Sequence, residues 1–311
     1  MKVKKIIIFG GFGFVGSHIY ESLKLNNKVI RASRRNGYDL NNKKKIKKLF
    51  DDFRPDIVIN CAVAHGGLSY INSKPAYIFH ENSILYFNFY KIISSITLKN
   101  NFYVINLISN CAYSGDLKIQ KEKNWLDHEP HDSVLPFAIS KRIAFYLSRF
   151  YLKEFNIKTK NLLIPNAYGP GDYKDPRRTH ALNGIIIRFL NSIKKKNTSL
   201  QIWGTGRPKR EWIYVGDIAK LLKLEIQNNT LKDYIPVNLA QNKSYSILKI
   251  SKIIKKILKS NILLKTDPTQ MDGALVKQLS NIKFKKHFKK FKFEKIESGI
   301  LKTINYYKNS L

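Results

Sequence analysis

The chain has 311 residues, of which 43% are hydrophobic and 12% aromatic, so it can bury a substantial core and is not a disordered protein. Lysine and arginine total 56 against 22 aspartate and glutamate residues, which gives a net charge of +34. Because the lysines are spread along the chain rather than gathered in one segment, we expect a phosphate-bearing small substrate rather than a nucleic acid.

Composition also bears on compartment and metals. The two cysteines, Cys61 and Cys111, lie far apart in apolar contexts and do not form a disulfide framework, which favours a reducing cytoplasm. Glycines interrupt the apolar run near the start, and no stretch reaches the roughly 20 apolar residues of a spanning helix, so we expect no membrane insertion. No metal site is predicted.

Strand and helix patterns alternate through the first half of the chain. Nearly continuous β-branched runs predict strands at 3–9, 28–33, 55–64, 102–109 and 159–166. Helical patterns predict helices at 15–27, 43–53, 75–100 and 136–155. This alternation predicts an α/β fold with a Rossmann-like, doubly wound parallel sheet.

The residue composition and the pattern of strands and helices change near residue 166. A loop rich in Gly, Pro and Asp precedes a predicted helix at 181–196, and a strand at 200–204 and a strand–helix segment at 210–227 follow. We therefore predict two domains. Residues 1–166 form an NAD(P)-binding Rossmann domain, and residues 167–311 form mainly a smaller C-terminal substrate-binding lobe, interleaved with the last elements of the sheet.

The segment GGFGFVG joins the first predicted strand to the first predicted helix. Its glycine spacing is that of a dinucleotide-binding turn, and its position between strand and helix makes the motif specific. Glycine permits the tight turn and lets backbone N–H groups approach a pyrophosphate at the positive helix end. The predicted cofactor contacts of this segment are Gly10, Gly11, Phe12, Gly13, Phe14, Val15 and Gly16.

The end of the second strand discriminates between NAD and NADP. A carboxylate there would bind the ribose hydroxyl and repel a 2′-phosphate. Here Arg31, Arg34 and Arg35 follow, with no carboxylate before Asp39. NADP is therefore favoured and NAD stays the alternative, with Arg31, Arg34 and Asp39 among the candidate cofactor contacts.

Several segments together resemble the extended short-chain dehydrogenase/reductase family of nucleotide-sugar enzymes, over nearly the whole chain. They are AHGGLSYINSKPAYIFHENS, SNCAYS, NAYGPGD, RRTHALNGIIIRF and WGTGRPKREWIYVGDIA. The Gly66–Gly67 pair, with Cys111 and His180, narrows the resemblance to the branch of GDP-L-fucose synthases. That branch implies a homodimeric enzyme that epimerises and reduces a GDP-4-keto sugar, supplying deoxysugar or heptose for surface polysaccharide.

The resemblance implies a Ser, Tyr, Lys catalytic set. It places Ser109 and Lys141 in two of these roles, and Lys141 also among the cofactor contacts. A phenol whose pKa is lowered by a nearby ammonium would protonate the alkoxide formed by hydride delivery. The third position, four residues before Lys141 on the same helix face, is Phe137, so the family's proton donor is absent.

The same branch inverts two stereocentres beside the ketone. A carbonyl acidifies the neighbouring C–H bonds, so one group removes a proton and a second returns one to the opposite face. The resemblance assigns this work to Cys111 and His180. A thiol near cations and an imidazole are both suited to it.

Substrate contacts follow from the resemblance as well. The residues are Asn166, His180, Arg188, Trp203 and Arg210. The guanidinium forks suit the paired oxygens of a diphosphate, and the amide and indole are expected beside the base and sugar. The structural alternatives are that Arg210 pairs with Glu211 or Asp217 and that Trp203 belongs to the core.

Phe137 leaves four readings open. In the first, reduction persists, and a water held by Lys141 and Ser109 or the hydroxyl of Tyr113 supplies the proton. In the second, only epimerisation remains and the cofactor is structural. In the third, the phenylalanine is an engineered change that traps substrate, and in the fourth the protein is a non-catalytic NADP-binding module.

Overall fold

A computed structural model describes residues 2–97, 102–175, 178–232 and 235–310. The strands are β1 (Lys5–Phe9), β2 (Lys28–Ala32), β3 (Ile57–Asn60), β4 (Tyr103–Ser109), β5 (Thr159–Ile164), β6 (Asn166–Tyr168), β7 (Ser199–Trp203), β8 (Lys209–Tyr214), β9 (Val237–Asn238), β10 (Ser244–Ser246), β11 (Leu263–Asp267) and β12 (Val276–Lys277). The helices are α1 (Phe14–Leu23), α2 (Lys43–Phe53), α3 (Leu68–Ser73), α4 (Pro75–Thr97), α5 (Leu135–Phe155), α6 (Ala181–Lys194), α7 (Val215–Asn228), α8 (Ile247–Ile257), α9 (Ile282–His287) and α10 (Ile296–Lys308).

The main layer is a six-stranded parallel sheet in the order β2–β1–β3–β4–β5–β9. Successive side chains of β1 point to opposite faces, so Ile6 and Ile8 pack towards α1 and α7, while Ile7 and Phe9 pack towards α2, α4 and α5. Helices on both faces of a parallel sheet confirm the predicted doubly wound α/β fold.

The predicted strand at 159–166 is two strands in different sheets. β5 ends at Ile164, and β6 begins at Asn166 and pairs with β8 in a smaller sheet ordered β10–β8–β12. Pro165 lies between them and has no N–H to donate to a ladder, so the pairing breaks there. The chain therefore passes from the large sheet to the small one at this proline.

The predicted helices agree with the structure except near their ends. α1 stops at Leu23, before the predicted end at residue 27, and the Asn27 side chain donates to the Leu23 carbonyl at 3.1 Å, which satisfies one acceptor at the helix end. α4 extends to Thr97, and the predicted continuation over residues 98–100 lies outside the described residues. α5 matches closely and ends at Phe155, and the next residue, Asn156, adopts the left-handed conformation.

Segments after residue 166 pack in two places. α7 and β9 join the large sheet, whereas α6, α8 and α10 surround the small sheet in a core that includes Trp212, Ile250 and Ile300. In the described ranges, no helix is both long and apolar enough to cross a membrane.

A buried ion pair attaches α7 to the large sheet. Lys160 Nζ on β5 lies 2.5 Å from Glu225 Oε1 on α7, and their side chains are only 3% and 1% exposed. The Glu225 carboxylate also accepts hydrogen bonds from the hydroxyl and amide of Thr230 and the amide of Leu231. Every donor that the carboxylate needs is thus supplied by the protein.

Lys160→Met should lower the free energy of unfolding by about 3–5 kcal/mol, because it leaves a buried carboxylate without its cation. Urea unfolding followed by circular dichroism measures the change. Lys48→Met is the matched control, since the Lys48–Asp52 pair is exposed and 3.5 Å long, and it should change stability by about 0.5 kcal/mol or less. Equal effects of the two substitutions would contradict this account.

Candidate active site

A cleft of about 400 Å³ lies beyond the carboxyl ends of the central strands. In an open parallel sheet, this is where ligands bind. One wall comes from the loops after β1, β3 and β4, and the other comes from α6 and the small sheet. The predicted residues that line it are Gly10, Gly13, Phe14, Val15, Gly16, Ser109, Cys111, Phe137, Lys141, Asn166, His180, Arg188, Trp203 and Arg210.

The glycine loop forms an open cradle at the start of α1. Gly10 has φ of +72°, and a Cβ on it would lie 2.7 Å from the carbonyl carbon of Cys61. A Cβ on Gly16 would lie 2.3 Å from the Gly10 carbonyl oxygen. Side chains at these two positions would collide with neighbouring backbone, so only glycine allows the tight turn that leads into the N-terminus of α1, whose first turn carries no acidic residue. The cradle therefore fits the pyrophosphate of a dinucleotide.

The end of β2 presents arginines rather than a carboxylate. The Arg31 guanidinium stacks between two rings, 4.0 Å from the centre of Phe12 and 4.3 Å from that of Tyr20. Arg34 is exposed in a short 3₁₀ turn, and the Asp39 carboxylate accepts an amide in the turn before α2. The predicted cofactor contacts outside the cleft lining are Gly11, Phe12, Arg31, Arg34 and Asp39.

Helix α5 carries Phe137 and Lys141 to the cleft wall. Both side chains are buried, and Lys141 Nζ lies 5.2 Å from the centre of the Phe137 ring. The ammonium donates a hydrogen bond to the Tyr86 hydroxyl on α4 at 2.5 Å. Burial lowers the pKa of Lys141 to about 8 and raises the pKa of the Tyr86 phenol.

The turn after β4 positions Cys111. Ser109 accepts the Cys111 amide on its hydroxyl at 3.2 Å, so the serine shapes the turn that carries the thiol. Lys277 Nζ on β12 approaches the Cys111 sulfur to 3.7 Å, and burial lowers the pKa of this lysine. The ammonium and the sulfur therefore face each other at the cleft wall.

His180 is held by a carboxylate. Its Nδ1 lies 2.9 Å from Asp172 Oδ2, which also accepts the His180 amide at 2.8 Å and the Thr179 hydroxyl at 2.5 Å. Burial alone would raise the pKa of the Asp172 carboxyl, but the attraction of His180 and these hydrogen bonds hold it well below its usual range. The carboxylate can only accept, so Nδ1 carries the proton and Nε2 remains free to exchange one.

A row of rings connects the two sides of the cleft. The His65 ring lies 4.4 Å from that of His180 and 5.1 Å from that of Phe137, and Cys111 packs in the cluster that contains Phe137. Burial, and then the neighbouring His180, lower the pKa of His65 well below its usual value, so its ring is neutral at physiological pH. The structure thus brings Cys111 and His180 to one cleft.

The arginines lie at the far end of the cleft. Arg188 stacks on Trp203 with 4.7 Å from the guanidinium to the ring, and burial lowers the pKa of Arg188 to about 10. Arg210 donates to main-chain carbonyls at 2.6 and 3.3 Å. The Glu211 and Asp217 carboxylates accept backbone amides elsewhere, so the suggested pairing with Arg210 is wrong. Trp203 is 43% exposed and does not belong to the core.

Of the two remaining candidates, Asn166 faces the cleft and Tyr113 faces a buried cluster. Asn166 lines the cleft and donates to the Glu211 carbonyl at 3.2 Å. The Tyr113 hydroxyl donates instead to Asn238 at 2.8 Å within a buried cluster, and Tyr113 is not among the described residues that line the cleft. It is therefore not positioned to protonate a ligand there.

Sequence reasoning missed several polar residues of the cleft, of which Asp172, His65 and Lys277 contact the predicted site residues. Asp172 precedes His180 by eight residues in the glycine-rich loop, so an acid near the histidine was a usable signal. His65 directly precedes the Gly66–Gly67 pair, within the segment AHGGLSYINSKPAYIFHENS that carries the family resemblance. Lys277 lies beyond every segment to which a motif was assigned, and no local pattern distinguishes it from the other lysines.

Comparisons with known proteins agree with this geometry. The model of the NAD dependent epimerase/dehydratase family matches residues 6–240. A GDP-L-fucose synthase from Dictyostelium discoideum is 25% identical over 98% of this chain and 95% of its own length. A GDP-L-colitose synthase from Yersinia pseudotuberculosis is 26% identical over 98% of both chains.

Solved structures show the same fold. A GDP-L-fucose synthetase from Naegleria fowleri bound to NADP superposes with a TM-score of 0.85 at 21% identity, covering 100% of this chain and 96% of that one. A GDP-6-OMe-4-keto-L-xylo-heptose reductase from C. jejuni gives a TM-score of 0.87 at 20% identity, covering 100% and 99%.

Asp172→Asn should allow both neutral tautomers of His180 to form, because an amide is a weaker acceptor for the Nδ1 proton than a carboxylate. Nitrogen-15 NMR of labelled protein should show neutral His180 protonated on Nδ1 in the wild type and a mixture of tautomers in the variant. Asp52→Asn, on the exposed face of α2, should leave the His180 signals unchanged. Identical spectra for wild type and Asp172→Asn would refute the assignment.

Proposed function

The chain belongs to the NAD dependent epimerase/dehydratase family, and we propose that it is an NADP-dependent enzyme that epimerises and reduces a GDP-4-keto sugar. The observation that carries this proposal is the shared cleft, in which Cys111 and His180 face the same space as Lys141 and the glycine cradle. The names of the relatives, GDP-L-fucose synthase and GDP-L-colitose synthase, support a GDP-linked substrate.

The cofactor would lie with its pyrophosphate on the glycine cradle. Arg31 and Arg34 would face the 2′-phosphate of NADP, and the missing carboxylate at the end of β2 removes the group that would repel it. Lys141 would contact the nicotinamide end. When bound, the reduced cofactor supplies hydride to the ketone carbon.

Cys111 and His180 would carry the epimerisation. With Lys277 beside its sulfur, Cys111 would remove a proton from a carbon next to the ketone. His180, with Nδ1 held by Asp172, presents Nε2 for the second proton transfer on the opposite face. Ser109 would hold the carbonyl oxygen, which gains negative charge when the C–H bond breaks.

The nucleotide would occupy the end of the cleft that contains Arg188 and Arg210. The guanidinium groups of Arg188 and Arg210 are half-buried and donate to main-chain carbonyls rather than to carboxylates, and a diphosphate would supply paired acceptors with negative charge. Trp203 offers an exposed ring for the base, and Asn166 a polar contact nearer the sugar.

We also propose a cytoplasmic homodimer. The two free thiols support a reducing compartment. Helices α4 and α5 pack side by side and carry large exposed apolar groups, including Phe87 at 50% and Phe150 at 59% exposure. Such a face would be covered by a second copy of the chain.

Incubation with a GDP-4-keto-6-deoxy sugar in D₂O, with and without NADPH, tests the function. We expect deuterium at both carbons beside the ketone and oxidation of NADPH. Cys111→Ala should slow deuterium incorporation by roughly 10²–10⁴-fold. Cys61→Ala is the matched control and should retain it, because burial raises the pKa of the Cys61 thiol to about 12 and keeps it protonated. Absence of both signals in the wild type would refute the proposed function.

Phe87→Asp combined with Phe150→Asp should convert the dimer to a monomer, because two charges would be buried at the interface. Light scattering coupled to size exclusion measures the mass. Leu301→Asp, at an exposed apolar position on α10, should leave the dimer intact. A wild-type monomer would contradict the proposed assembly.

A further inference from the structure

The structure places a phenol beside Lys141, although position 137 lacks one. Tyr86 on α4 accepts the hydrogen bond of Lys141 Nζ at 2.5 Å, and Nζ lies 5.2 Å from the ring centres of both Tyr86 and Phe137. Lys141 lines the cleft, whereas Tyr86 is 3% exposed and is not among the described lining residues. The ammonium therefore separates a buried phenol from the ligand space.

We propose that Lys141 is itself the proton donor of the reduction and that Tyr86 is the positioning residue that holds its ammonium at the cleft. This inference rests on the proposed function, since it assigns the proton that a ketone reduction requires. It also answers how the chain can reduce a ketone with Phe137 in place of a phenol.

The step balances with the groups already named. As the ketone carbon receives hydride from the reduced nicotinamide cofactor, the ketone oxygen takes the proton of one Lys141 N–H bond, and the electron pair of that bond stays on nitrogen. The products are an alcohol, the oxidised cofactor and a neutral amine. The Tyr86 hydroxyl accepts a hydrogen bond from the ammonium before the transfer and can donate one to the amine afterwards, so the pair stays bonded in both states.

The surroundings of Lys141 favour release of its proton. The titratable groups that face it are Tyr86 from α4, Cys61 and His65 after β3, and Cys111 after β4. Among these groups there is no carboxylate to hold the ammonium. Burial lowers the pKa of Lys141 to about 8, where an amine can both give up and regain a proton near neutral pH.

The other polar groups of the region are less suited to the step. His65 is neutral, because burial lowers its pKa, and a neutral imidazole is a poor acid. Tyr113 is directed into a separate buried cluster. His180 has its Nδ1 proton engaged by Asp172 and is assigned to the epimerisation.

Single-turnover oxidation of NADPH by a GDP-4-keto-6-deoxy sugar, measured across pH, tests the proposal. In the wild type, the rate should fall as pH rises through about 8, where Lys141 loses its proton. Lys141→Arg keeps a charged donor to Tyr86, but a guanidinium does not release a proton, so the rate should fall roughly 10²–10⁴-fold. Fluorescence titration should show that this variant still binds NADPH.

Tyr86→Phe keeps the ring and removes only the hydroxyl that stabilises the ammonium. The midpoint of the pH profile should therefore move to lower pH, while NADPH binding is retained. A merely structural role for Tyr86 would change stability without moving the midpoint. This variant and the wild-type profile keep the test decisive if Lys141→Arg does not fold.

Deuterium incorporation in D₂O, which depends on Cys111 and His180, is measured in every variant to separate the two proposals. Incorporation in all variants with loss of reduction in Lys141→Arg supports the assignment. Incorporation with wild-type reduction in Lys141→Arg overturns it, as does incorporation without NADPH oxidation in the wild type. Neither incorporation nor oxidation in the wild type overturns the proposed function as well.

Discussion

The break in strand pairing at Pro165 determines where the cleft forms. Because the chain leaves the large sheet there, Asn166 begins a strand that pairs with β8 at the carboxyl edge of the large sheet. β8 carries Arg210, and its neighbour β12 carries Lys277, so residues from the last third of the chain face Cys111 after β4. A single residue, Pro165, separates a strand of the large sheet from a strand of the small one, and the two sheets border one ligand space.

The charged side chains that line the cleft are mostly positive. Lys141, Lys277, Arg188 and Arg210 all line it, and burial lowers the pKa of each. Desolvated cations of this kind are relieved by an anionic ligand, and a diphosphate supplies two negative groups. Two carboxylates line the same space: Asp172 is bound to the imidazole of His180, and Asp272 accepts hydrogen bonds from the amide and hydroxyl of Thr205, so the four cations outnumber them. The cations that line the cleft are therefore a more specific indication of an anionic ligand than the high net charge of the whole chain.

Much of the framework could be predicted from the sequence because its signals are local. Alternating strand and helix patterns and the glycine spacing of residues 10–16 each involve a few consecutive residues, and the family resemblance led to Cys111 and His180. The contacts that complete the site are not local: Tyr86 and Lys141 are 55 residues apart, and Cys111 and Lys277 are 166 apart. No local sequence pattern shows which residue Tyr86 or Lys277 will contact. These pairs form only when α4 packs on α5 and the small sheet packs on the large one.

A crystal structure of the protein with oxidised NADP and the GDP-4-keto sugar tests the central claim most directly. The account predicts a sugar ring between Cys111 and His180, with its ketone oxygen within about 3.2 Å of Lys141 Nζ and Ser109 Oγ. A sugar bound outside the space between the thiol and the imidazole, or a ketone oxygen beyond the reach of Lys141, would contradict it.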